Sequence, residues 1–87
     1  MNIKEIKNRI RIEVVISKYV NLEPIGIDRF RGLCPFHEES KPSFTVYADT
    51  QSFYCFGCGI GGDVINFLMK IEKIDFKEAI RNLKKYL

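Results

Sequence analysis

Four side chains carry the plainest chemistry in this sequence. They form two short pairs, Cys34-x-x-His37 and Cys55-x-x-Cys58, with residues 38–54 between them. Three thiolates and one imidazole make a complete tetrahedral donor set for Zn2+. Each pair is short enough to hold a metal from one tight turn, a knuckle. Four protein donors leave no open position, so the expected cofactor is one structural Zn2+ rather than a catalytic Lewis acid. An odd number of cysteines argues against a closed disulfide framework. A redox role for Cys55-Phe56-Gly57-Cys58 would leave Cys34 and His37 unexplained. Gly57 and Gly59 flank Cys58, where the turn needs relaxed backbone angles or close approach to sulfur.

The elements between and around the pairs must bring them together. Ser43 to Tyr47 is rich in aromatic and β-branched residues and reads as a strand. Ala48-Asp49-Thr50-Gln51 reads as a hairpin turn and Ser52 to Cys55 as the returning strand. One hairpin thus joins the two knuckles, which is the layout of a zinc ribbon. Arg29 to Leu33 is a further strand, and Pro24 with Gly26 reads as a turn ahead of it. Gly59-Ile60-Gly61-Gly62 breaks the chain again and reads as a turn leading into a helix rather than a phosphate loop.

Helices are expected at both ends. Ile3, Ile6 and Ile10 suggest a short first helix. Ile12, Val15, Ile16 and Tyr19 recur at helical spacing. Val64, Phe67, Leu68 and Ile71 line one face of a third helix, which Asp63 begins or caps. Phe76, Ala79, Ile80, Leu83 and Leu87 form the apolar stripe of a fourth, with Asp75 and Glu78 as a pair of the capping-box kind. The expected class is α+β: a zinc ribbon, a small antiparallel sheet with zinc knuckles, flanked by N- and C-terminal helices. The 87 residues make one domain, with helices over about 2–20, the ribbon over about 21–62 and helices over about 63–87.

A chain this short buries a limited core, so a metal is a natural staple. No apolar run approaches the ~18 residues of a membrane span, and the first residues lack a signal-peptide core. The expectation is a cytoplasmic protein with no membrane partner. A formal charge of +3 permits contact with nucleic acid without announcing it.

Longer stretches agree beyond the four donors. Cys34-Pro-Phe-His37, Lys41-Pro-Ser-Phe44, Phe53-Tyr-Cys-Phe-Gly-Cys-Gly59 and Gly61-Gly62-Asp63 closely resemble the N-terminal zinc-binding domain of bacterial DnaG-type DNA primases. Ile16-Ser-Lys-Tyr-Val20, Phe67-Leu68 and Phe76-x-Glu78-Ala79 are similar to that family's flanking helices, so the resemblance covers essentially the whole chain. It implies a module that binds single-stranded DNA template and supports initiation of short RNA primers in replication. The implied partners are the template, the primase polymerase domain in cis or in trans, and the replicative helicase through the parent protein. Polymerase chemistry in the family lies in a separate domain that uses carboxylates and divalent metal. This chain alone is therefore not expected to polymerise nucleotides, and Glu38-Glu39 reads as a solvated pair. The competing reading is a stand-alone structural zinc module for protein interaction, as in a phage or mobile-element protein.

Single-strand binding needs cations for phosphates and rings for bases. Arg29 and Arg31 share one face of a strand. Lys41 precedes the next strand. Phe30, Tyr47 and Tyr54 supply rings, whereas Phe44 and Phe53 are expected in the core. Lys77, Arg81, Lys84 and Lys85 form a basic stripe that reads as a solvated helix face.

Overall fold

The structure, a computed structural model, describes residues 2–38 and 41–87. Two short helices open the chain, α1 over Ile3–Arg9 and α2 over Ile12–Ile16. Asn2 caps α1, its side chain accepting from the Glu5 N–H at 2.8 Å. Arg11 offers α2 no such cap. The Ile12 N–H donates instead to Gln51 Oε1 at 2.8 Å, from the far side of the sequence. Gln51 Nε2 also donates to Glu13 and to the Ala48 carbonyl, so one amide side chain ties α2 to the hairpin turn.

Five strands follow: β1 Glu23–Gly26, β2 Arg29–Gly32, β3 Phe44–Tyr47, β4 Ser52–Cys55 and β5 Gly61–Gly62. They pair in chain order as one antiparallel sheet. The sequence suggested a turn at Pro24 and Gly26, but both lie in β1. An edge strand tolerates the missing proline N–H, and the register shift falls between these two residues. Gly61-Gly62, expected as a break, pairs with Tyr54 and Phe53. Pairing uses only the backbone, so glycine's poor strand propensity hid it.

Two helices close the chain, α3 over Val64–Glu72 and α4 over Phe76–Lys84. Asp63 begins α3 with a full capping box shared with Asn66. Asp75 caps α4 by accepting from the Glu78 N–H, but the Glu78 carboxylate pairs with Arg81 at 2.6 Å, not back toward Asp75 as a capping box would have it. Along α4, Ala79 and Leu83 are buried, while Phe76 and, just beyond the helix, Leu87 remain exposed. Among the described residues, no helix is long and apolar enough to cross a membrane.

Alternation along the strands gives the sheet two unlike faces. Phe30, Val46 and Phe53 share one cross-strand row, and Gly32, Phe44 and Cys55 the next. This face meets the helices: Phe44, Phe53 and Phe67 pack ring to ring at 5.4–6.1 Å, and Ile6, Ile12, Ile16, Leu68 and Leu83 complete the core. The other face carries Arg31, Thr45 and Tyr54 in one row, with Arg29, Tyr47 and Ser52 in another.

Candidate metal centre and the open sheet face

The chain leaving β2 delivers Cys34, and the turn that follows delivers His37. Strand β4 ends on Cys55, and the next turn presents Cys58. One donor atom from each of the four residues lies within 4.8 Å of the others. A tetrahedron with ~2.3 Å Zn–S bonds has sulfur–sulfur edges of about 3.8 Å. Cys34 and Cys58 stand 3.8 Å apart, sulfur to sulfur. The donor set and its spacing therefore fit Zn2+.

Local hydrogen bonds shape each knuckle. The Phe36 N–H donates to Cys34 Sγ at 3.4 Å. The Cys55 N–H donates to the Ile60 carbonyl and the Gly59 N–H to the Cys55 carbonyl, both at 2.8 Å, which closes the second turn. Gly59 has φ +74°, a left-handed conformation that glycine adopts without strain. Gly57 answers a different need. A Cβ there would stand 2.9 Å from both the His37 ring and the Ser43 hydroxyl, so the close approach is to these groups rather than to sulfur.

The sulfurs favour different protonation states in the absence of a cation. Burial pushes the Cys34 thiol up to about 12, reinforced by the neighbouring Cys55 and Cys58. Burial also opposes ionisation of Cys55, but the Ser43 hydroxyl at 3.5 Å and the Cys34 thiol outweigh it and bring Cys55 down to about 7. A divalent cation resolves this conflict by stabilising all the thiolates together.

The proposed nucleic-acid residues separate by face. Arg29, Arg31, Tyr47 and Tyr54 come together on the face turned away from the helices. The Arg29 guanidinium lies 5.4 Å from the Tyr47 ring centre, within cation–π range. Phe30 does not join them. It lies between Arg29 and Arg31, so alternation turns it inward beside Val46, where it packs against the core. Lys41 is exposed ahead of β3, outside the paired ladder. Glu38 is exposed, and Glu39 lies outside the described residues. Lys77, Arg81, Lys84 and Lys85 are exposed on α4 and its end, with Arg81 engaged by Glu78.

One ring escaped the sequence reasoning. Phe56 sits between Cys55 and Cys58, is 67% exposed, and meets Tyr54 edge to face at 4.9 Å between ring centres. The available signal was strand alternation: Phe56 follows Cys55, so continuing the two-residue period turns it to the face opposite Cys55.

Comparison with known proteins decides the family. The CHC2 zinc finger model matches residues 1–87. The chain belongs to the CHC2 zinc finger family. A DNA primase of Thermotoga maritima is 51% identical over 83 residues, covering 95% of this chain and 14% of that protein. One of Mycolicibacterium smegmatis is 49% identical over 82 residues, covering 94% and 13% respectively. A crystal structure of the zinc-binding and RNA polymerase domains of the Aquifex aeolicus primase matches with a TM-score of 0.90 at 45% identity, over 99% of this chain and 22% of that one. The chain thus spans about one seventh of the length of the curated relatives it matches. As a CHC2 zinc finger with its Cys-His-Cys-Cys group gathered in space, it takes one structural Zn2+.

Proposed function

We propose that this CHC2 finger is the template-binding module of a bacterial-type DNA primase. In this reading Cys34, His37, Cys55 and Cys58 hold the zinc, and the open face of β2, β3 and β4 receives single-stranded DNA. Arg29, Arg31 and Lys41 take phosphates, while Tyr47 and Tyr54 take bases. The module serves initiation of RNA primers during DNA replication. The polymerase domain of the parent protein, in cis or in trans, supplies the chemistry, and the replicative helicase is reached through that parent protein.

The observation that carries this reading is the segregation of the sheet. The large apolar residues of β2, β3 and β4 turn to the helices, which leaves Arg29, Arg31 and Tyr54 exposed on the other face with Tyr47 half-buried beside them. Cations track a phosphate backbone and rings stack on bases without regard to sequence. Zinc bound in the proposed site would link the loops that begin and end the β3–β4 hairpin, and so hold this face in shape.

The test is fluorescence anisotropy of the zinc-loaded protein with a short labelled single-stranded oligonucleotide across a salt series. The Arg29→Ala, Arg31→Ala, Lys41→Ala triple variant is expected to bind weakly and to flatten the salt dependence by about 2 in log–log slope, at roughly 0.7 for each phosphate left without its cation. Full-strength binding by that variant overturns the proposed surface.

A second reading, protein interaction, is favoured by one feature. Ile3, Phe76 and Ile80, together with Lys77, Arg81 and Lys84, line an open pocket of about 310 Å3. Retention of a protein partner without oligonucleotide binding would support it.

A further inference from the structure

Each knuckle places a phenylalanine between its metal donors, and the two rings meet opposite fates. Phe36 turns inward and packs on Phe44, Phe53 and Phe67 at 5.6–6.3 Å. Phe56 turns outward onto the open face. Register explains the direction. Phe44 and Cys55 are partners on the inner face, so the next pair along the ladder, Ser43 and Phe56, belongs to the outer one. The Phe56 N–H donates to the Ser43 carbonyl at 3.0 Å, continuing the ladder into the knuckle.

We propose that Phe56, braced edge to face by Tyr54, is a stacking platform for an unstacked base of a single nucleic-acid strand. This rests on the reading of the sheet face as a template surface and adds a residue and a contact mode to it. Tyr54 and Phe56 stand exposed together, as a pair of rings in mutual contact rather than as isolated surface residues. The Phe56 ring is also held out rigidly, by its own N–H, by the closed turn at Gly59 and by Tyr54, so little freedom is lost when a base settles on it. The platform lies in line with phosphate-binding groups, because Tyr54 shares its cross-strand row with Arg31. Every base has a ring face, so the platform is sequence-tolerant. In a duplex those faces are already stacked on one another, so the platform selects for the single strand.

The chain has no tryptophan, which makes a direct readout available. Phe56→Trp is expected to keep affinity for a labelled oligothymidylate and to show quenched tryptophan emission when the strand binds. Phe56→Ala, still holding one equivalent of zinc, is expected to bind about 5- to 150-fold more weakly with an unchanged salt slope. An abasic oligonucleotide of the same length should bind the wild type and Phe56→Ala alike. If the wild type binds oligothymidylate and Phe56→Ala matches it, or if the tryptophan emission does not change on binding, the platform is overturned while the sheet-face reading stands. If the wild type binds no single strand at all, both fall.

Discussion

The two knuckles supply two donors each to one centre, yet they are built for different neighbours. Cys34-Pro-Phe-His37 is anchored inward: Cys34 is buried and Phe36 sits among core rings. Cys55-Phe-Gly-Cys58 begins in the core at Cys55 and then turns out, with Phe56 and Cys58 exposed. The first knuckle is held by packing as well as by its donors. The second has backbone bonds and a ring pair on the surface, and must rely on the metal for the rest. A zinc ion between them would couple the hydrophobic core to the open face, so that order in one is passed to the other.

The largest expected effect removes that coupling. The net stability of a chain this size is about 4–13 kcal/mol, at ~0.05–0.15 kcal/mol per residue. Structural zinc binds small domains with about 10–16 kcal/mol, enough to rival the whole. Chelation, or Cys58→Ser, is expected to abolish most of the cooperative melting and the circular dichroism of the hairpin. An unchanged melt after verified loss of zinc would show that the two knuckles do not need the metal between them.

A smaller effect should separate the knuckles. Phe36→Ala is expected to lower the stability of the zinc-loaded protein by about 2–4 kcal/mol, short of the full cost for a completely buried ring. Phe56→Ala should lower it by less than about 0.5 kcal/mol, as for other surface truncations. Urea titrations of the two variants check this, and equal losses would erase the distinction.

A further small effect lies just beyond the second knuckle. Asp63 pairs with Lys7 at 2.8 Å and accepts from the Asn66 N–H. Burial raises its pKa, but the hydrogen bonds from Lys7 and Asn66 outweigh it and hold the carboxyl below its ordinary value. The stabilisation is therefore present above the unfolded-state value, near 3.9, and is lost as pH falls through the lower folded one. Asp63→Asn is expected to cost about 0.5 kcal/mol at neutral pH and to converge on the wild type in acid, with zinc affinity unchanged. A loss of zinc affinity would mean that the second knuckle leans on α3 as well as on the metal.

Local chemistry was legible in the sequence. Each of the two Cys-x-x-His and Cys-x-x-Cys pairs, the β3–β4 hairpin, Asp63 before α3 and Asp75 before α4 depends on residues within a few positions of one another. Long-range or backbone-only features were not. The cap on α2 comes from Gln51, 39 residues further along the chain. Strands β1 and β5 carry proline and glycines, which speak for turns until a neighbouring strand supplies a pairing edge. Phe30 looked like a companion of Arg29 and Arg31 and turned out to be their opposite.

The sequence by itself determined which side chains can bind metal and that every strand has two alternating faces, because donor chemistry and a two-residue period are properties of the chain. Phe44 and Phe53 already pointed to the face the helices cover, and only the tertiary structure decided how each knuckle meets that face. That decision sends Phe36 into the core and Phe56 to the surface, since burial depends on what packs across the sheet and not on the residue or on its place in the knuckle.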